Sequence, residues 1–386
     1  QGSSDNVFMG YSAGGGTWAD AASSYNIGIG NYTLDAALNG ALYNMAMGYG
    51  ALGALTSGDS NVALGHGAGT ALTTGIGNIT IGRAAGDSMT TNTGVIAIGY
   101  YAGEDINNAN GNYSVIIGHE AGGNMTSANP NHLMGYRSGY AITTGGQNVA
   151  SGYETLRYNQ TGYGNVAIGY QASQNATSSL NVSVGFEAGR GKTTAPYNSG
   201  EANISIGSYT NHTVSTGKRN VSIGGNAGNA METGTDNTLL GNNAGYNVKH
   251  AVGSVIIGGY AGRYASGSYN IFMGYNTGDG GTTSAPFSSG ENNVAIGDRA
   301  MRVFTTGHSN AIVGNQAGYN INSGHENTIM GYQAAYNLTT ADNNVIIGYQ
   351  TGYNLTTSRY NVLIGDQAGY NLVESSTNND NVMIGN

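Results

Sequence analysis

One five-residue motif, Asn-Val-x-Ile-Gly, returns along the whole chain, and a recurrence this regular leaves room for few folds. Clear copies are Asn61–Gly65, Asn165–Gly169, Asn293–Gly297, Asn344–Gly348 and Asn361–Gly365. The closing glycine falls at 22 positions between Gly10 and Gly385, most often 17 residues apart. Seventeen residues are too few for a domain or for a helix pair, and one such unit cannot bury its own apolar face. Stacked units can, with neighbouring strands about 4.8 Å apart. The expected fold is all-β: a parallel β-solenoid or β-roll of about 22 coils, forming one repetitive domain over residues 1–386 and a rod on the order of 100 Å long.

Within each copy, the Val and Ile positions are two residues apart and share one face of a strand. They are apolar nearly throughout, so that face is expected to be the core. The residue between them points the other way. It is never charged and is often large and apolar, as at Ile116, Leu239, Ile256, Phe272, Ile312, Ile329, Ile346 and Leu363. A free rod would expose those side chains as a long stripe, which soluble monomers rarely do. These eight residues are therefore expected to form a chain–chain interface in a homotrimer. Three residues after the motif glycine stands Ala, Thr or Ser, as at Ala68, Ala317, Thr351 and Ser138. That restriction predicts a crowded interior corner. An apolar residue often follows, as at Leu338 and Leu355, and then a polar turn. The opening Asn, present in 19 of the 22 copies, either forms a hydrogen-bonded ladder or merely tolerates a turn conformation.

Two longer turns interrupt the step, near 191–202 and 279–291, and resemble each other in carrying Thr-Thr, Ala-Pro and Ser-Gly-Glu or Asn-Ser-Gly-Glu. Both are expected to protrude from the same edge, and a smaller extension carries Trp18. Neither end carries an atypical capping repeat, which predicts either a piece of a longer fibre or head-to-tail stacking into a filament.

The repeat explains the composition. Only 9% of residues are charged, against roughly 25% in ordinary domains, because like charges one coil apart would repel. A net charge of −9 argues against nucleic acid as a partner. There is no Cys, and the seven His residues show no ligand spacing, so no metal or cofactor is expected. Gly48-Tyr49-Gly50-Ala51-Leu52-Gly53 fits a dinucleotide pattern by letter, but no helix is expected after it. No run of apolar residues is long enough for a membrane-spanning helix. No nucleophile elbow is present, and the chain reads as a non-enzyme.

The strongest functional candidates are tyrosines. One column follows the motif glycine and includes Tyr136, Tyr153 and Tyr170; a second lies four residues later and includes Tyr319, Tyr336, Tyr353 and Tyr370. Stacked as ladders, they either support the stack or bind a host-surface glycan or matrix protein.

The Asn-Val-Ala-Ile-Gly motif, followed by a small residue three positions later, resembles the head repeats of trimeric autotransporter adhesins of the YadA type. Units such as Gly-Asn-Gln-Ala-Gly-Tyr-Asn from Gly314 are also similar to repeats of phage tail fibres. The resemblance implies a left-handed parallel β-roll, three chains around one axis, and an extracellular place on a cell or virion surface. It departs from the adhesin pattern in its longer 17-residue step. The expected function is a structural or adhesive fibre element. The alternatives are a viral tail-fibre shaft, or an ice- or glycan-binding solenoid, the ice reading resting on the pairs Thr73-Thr74, Thr143-Thr144 and Thr339-Thr340.

Overall fold

A computed structural model describes residues 2–18, 21–107, 111–128, 130–194, 198–281, 287–372 and 380–386. They fall into two compact units, Gln1–Glu187 and Ala188–Asn386. Each is a parallel β-solenoid carrying eleven three-residue strands, from Val7–Met9 to Val182–Val184 in the first and from Ile204–Ile206 to Val382–Ile384 in the second. Within a unit, every strand pairs in parallel with that of the next coil, motif on motif. Val62 lies against Ile79, Ala63 against Thr80 and Leu64 against Ile81. The long turn before Val294 leaves the register intact, since Ile271 still faces Val294. The apices of the two long turns, 195–197 and 282–286, lie outside the described residues, so their direction does too. Both return to the coil, with Ser288 bridged in parallel to Ala265.

Why these residues make corners is a matter of backbone conformation. The motif glycines sit at φ between 126° and 140°, a region that side chains rarely enter. Here, too, the backbones of adjacent coils meet: a Cβ on Gly118 would lie 2.4 Å from the carbonyl oxygen of Gly135. Both facts demand Gly. Other corners are milder. The residue before the opening Asn has φ near 60°, and Tyr25, Tyr43, Ser60 and Tyr360 all adopt it there.

The core lies on the opposite strand face from the one expected. The middle residue of each internal strand is buried and its two neighbours are not: the exposure pattern of Val115–Ile117 and of Val345–Ile347 is intermediate, buried, intermediate. Ile116, Leu239, Ile256, Phe272, Ile312, Ile329, Ile346 and Leu363 are all buried in their own chain. They are not a chain–chain interface. The physical reason is the alternation itself. The opening Asn stands two residues before the middle position, on the same side, and in the internal coils that Asn is buried. Asn and middle residue therefore point inward together, and the Val and Ile columns face out.

The small residue after the turn is buried as expected, at Ala68, Ala317, Thr351 and Ser138, and so are Leu338 and Leu355. The core is filled by exchange of volume between two positions six residues apart. Where the strand centre is large, the later position is Gly, as Phe8 with Gly14, Ile256 with Gly262 and Phe272 with Gly278, or once Ala, as Ile329 with Ala335. In four of the seven coils whose centre is Gly or Ala, a buried Leu or Met stands in the later position: Gly28 with Leu34, Ala46 with Leu52, Ala150 with Leu156, Ala295 with Met301; Ala63 with Gly69, Ala97 with Gly103 and Ala167 with Ser173 keep both positions small. A Cβ at Gly278 would lie 2.6 Å from the Phe272 ring, so the two volumes cannot both be large. Trp18 packs edge-on to Phe8 at 5.7 Å, and its indole N–H donates to the Gly14 carbonyl at 3.0 Å.

Candidate functional site: the ladders and the outer strand face

The Asn column is a hydrogen-bonded ladder, not only a turn preference. Asn61 Nδ2 donates to Asn44 Oδ1 at 3.0 Å and to the Gly75 carbonyl at 2.8 Å. Its backbone N–H donates to the same Asn44 Oδ1 at 3.0 Å. The side chain thus ties its coil to the one before through Oδ1 and to the one after through the Gly75 carbonyl. The group is buried, and Asn61 Oδ1 in turn accepts from Asn78. At Val95 the side-chain rung is missing, but its backbone N–H still donates to Asn78 Oδ1 at 3.0 Å. Ser114 and Ser254 use their hydroxyl oxygens to accept the next backbone N–H, at 3.1 and 3.2 Å. Asn78, which opens the sequon-like run Asn78-Ile79-Thr80, is buried in this ladder.

In each threonine pair the first hydroxyl is spent on the stack, while Thr74, Thr144 and Thr340 are exposed. The hydroxyls of Thr73, Thr143 and Thr339 donate to carbonyls one coil on, at 3.0, 3.1 and 3.1 Å.

Both tyrosine columns form ladders. In the first unit Tyr136, Tyr153 and Tyr170 stack with ring centroids 5.1 Å apart at each step, and Phe186 continues the stack at 5.0 Å. His119 and His66 take the place of Tyr in the same column, stacked on Tyr100 and Tyr49. In the second unit Tyr319, Tyr336, Tyr353 and Tyr370 stack at 4.8, 5.1 and 5.1 Å. Their planes lie within 15° of parallel. Stacking covers the ring faces and leaves only the edges to approach, and the Tyr319 hydroxyl accepts from the Arg302 guanidinium. A sugar cannot lay itself on a face that another ring occupies, so these ladders do not offer the flat platform expected of a glycan site. Burial holds the Tyr153 and Tyr336 phenols above their usual range.

Between these columns the first unit has a cleft of about 370 Å³. Its floor is Gly50, Gly67 and Ala84, three successive coils without a large side chain where Tyr32 and Tyr101 stand in the coils before and after. Tyr49, His66 and Arg83 line it from one column, Thr70, Asp87 and Glu104 from another. The Arg83 guanidinium is drawn onto the Tyr100 and Tyr101 rings at 5.5 and 5.8 Å. Elsewhere, charges one coil apart pair with opposite sign, as Arg137 with Glu120 at 2.5 Å and Arg219 with Asp236 at 2.7 Å. Asp87 and Glu104 break that pattern. Burial first, then the charges of Asp105, Asp87 and Glu120, hold the Glu104 carboxyl above its ordinary range.

Sequence reasoning missed the outer strand face. Its columns are the Val and Ile positions themselves, with Met134 47% and Ile168 42% exposed. One missed signal was the volume exchange at positions six apart in coils such as Phe272 with Gly278 and Ala295 with Met301, which a filled core requires. Among the described residues no group of three or more His, Asp or Glu side chains is placed to hold a metal ion, and no helix is long and apolar enough to cross a membrane. No family model, curated protein or solved structure matches the chain.

Proposed function

We propose that the protein is a structural element of an extracellular fibre, on a cell or virion surface, that works by associating with copies of itself, as a homotrimer, through the outer strand face. One observation supports this reading: the Val, Ile and Met columns of that face stay half-exposed over successive coils, beside the aromatic column. Contiguous apolar surface of this kind is uncommon on soluble monomers. The trimer contact therefore belongs on the flanking columns and not on the strand centres. Light scattering tests it. The wild-type chain is expected to be an oligomer at micromolar concentration. Met134→Lys with Ile168→Lys, both outward-facing, is expected to shift it to monomer while circular dichroism stays unchanged. A wild-type monomer overturns the proposal.

The cleft favours a second, adhesive reading, in which a short saccharide is held there. The Asp87 and Glu104 carboxylates accept from ligand hydroxyls and Arg83 donates to them, while the Thr70 hydroxyl, which donates to the Gly50 carbonyl at 3.1 Å, is left to accept; the volume suits a small ligand. Ala84→Tyr blocks the cleft without new backbone strain, because Tyr101 holds the equivalent corner at φ 53° against 52° for Ala84. In titrations with chitin, chitosan and glucan oligosaccharides followed by NMR, saturable shifts at Thr70 and Glu104 are expected in the wild type and not in the variant. Equal shifts in both, or none, remove this reading.

A further inference from the structure

The tyrosine ladders point to a covalent chemistry that neither reading above requires. Their rings are held pairwise at 4.8–5.1 Å with near-parallel planes, in runs of three in the first unit and four in the second. The chain has no Cys, so disulfides cannot link one coil to the next. Tyr153 and Tyr170 are each more than 40% exposed, the second ladder is partly exposed, and a ring stacked on its faces is reached at its edge, which carries the carbons ortho to the hydroxyl. Phenols that yield a hydrogen atom become radicals whose spin resides partly on those ortho carbons, and two such carbons join when they are held close.

We propose that the ladders Tyr136–Tyr153–Tyr170 and Tyr319–Tyr336–Tyr353–Tyr370 are sites of oxidative tyrosine coupling, where a one-electron oxidant of the haem-peroxidase class, fed by hydrogen peroxide, bridges adjacent coils. Two phenols each give one electron and one proton to the oxidant. The radicals form one carbon–carbon bond, and the two ring hydrogens at the new bond move to the oxygens to restore both phenols. One peroxide is reduced to two waters per bridge, and the protein loses two hydrogen atoms. Neighbouring coils hold the partners in place, so the step is effectively intramolecular and outruns collision between chains. Each bridge closes a loop of one coil and restricts the unfolded chain as a disulfide would. The stack sets the limits of each run: His119 and Phe186, which flank the first, have no phenol to contribute.

Peroxidase and peroxide applied to the purified full chain, with digestion and tandem mass spectrometry, test this. Expected products are Tyr136–Tyr153 or Tyr153–Tyr170, pairs within Tyr319 to Tyr370, and the two further stacked pairs Tyr25–Tyr43 and Tyr332–Tyr349. Each carries the loss of two hydrogens, distinct from the oxygen gained when Met is oxidised. Their yield should not depend on protein concentration, and the bridged chain should unfold at a higher temperature. Tyr113 is the internal control. It is 65% exposed, with Gly94 and Pro130 in the neighbouring coils, and it should stay unbridged. Tyr153→Phe, which keeps a ring in the stack as Phe186 does, should abolish both bridges in the first ladder and spare those in the second. Coupling that is mainly between chains, that favours Tyr113, or that persists unchanged when the chain is unfolded in urea overturns the proposal. So does the absence of dityrosine fluorescence after treatment.

Discussion

At the scale of the residue, the repeat is held by groups that can each do one thing. Asn148 is the clearest. Its Nδ2 donates to Asn131 Oδ1 and to the Gly162 carbonyl, both at 3.0 Å, and its Oδ1 accepts from the Asn165 backbone and side chain at 2.9 and 3.0 Å. Asp has nearly the same shape but cannot donate when ionised. Asn148→Asp would set a buried carboxylate against two oxygens, at a cost of about 3 kcal/mol at neutral pH. Such a group has its folded-state pKa raised above the unfolded value. The penalty is therefore small below the unfolded pKa and grows as pH rises through it toward the folded pKa. Thermal melts of variant and wild type should converge in acid and separate at neutral pH. A gap that does not change with pH would mean the rung is not buried as described. The motif glycine is equally constrained, by φ and by the carbonyl of the next coil, and that is why it alone never varies.

At the scale of the element, a three-residue strand is too short to declare its inner face by hydrophobicity. Val115, Ile116 and Ile117 are all apolar, and only the second is core. Regularity misleads here, because the outer columns repeat Val and Ile faithfully to stack coil on coil. The inner position ranges from Gly28 to Phe272, and in several coils its volume is exchanged with a partner six residues later. That exchange is testable at Phe272 and Gly278. Gly278→Leu forces a side chain into the ring and should cost about 3 kcal/mol. Phe272→Ala opens a cavity and should cost about 3–5 kcal/mol. The double variant recreates the Ala150 and Leu156 arrangement, in which Leu156 adopts φ 49° where Gly278 has 55°. It should be more stable than either single variant. In a double-mutant cycle, additive losses would show that the two positions do not share one space.

At the scale of the whole molecule, each coil touches its neighbours and little else, so every property is written one coil at a time. Low charge follows: Arg219 and Asp236, or Arg263 and Asp279 at 3.0 Å, are paired across one step, and an unmatched charge would meet its own kind. The all-β solenoid, the 17-residue step, the buried small residue and the two aromatic columns were legible in the amino-acid order, because each follows from a period and a residue type. The inward side of the strand was not legible from the motif alone, because alternation fixes which residues share a face but not which face is inside. That choice belongs to closure of the coil. The Asn rungs must lie where the backbone carbonyls of the next turn can meet them, and this turns Ile116 and Phe272 inward and leaves the Val and Ile columns outside. Tertiary structure likewise decided that the stacked tyrosines present edges instead of faces, since the 4.8–5.1 Å spacing of the ladder rings leaves no room for anything between them.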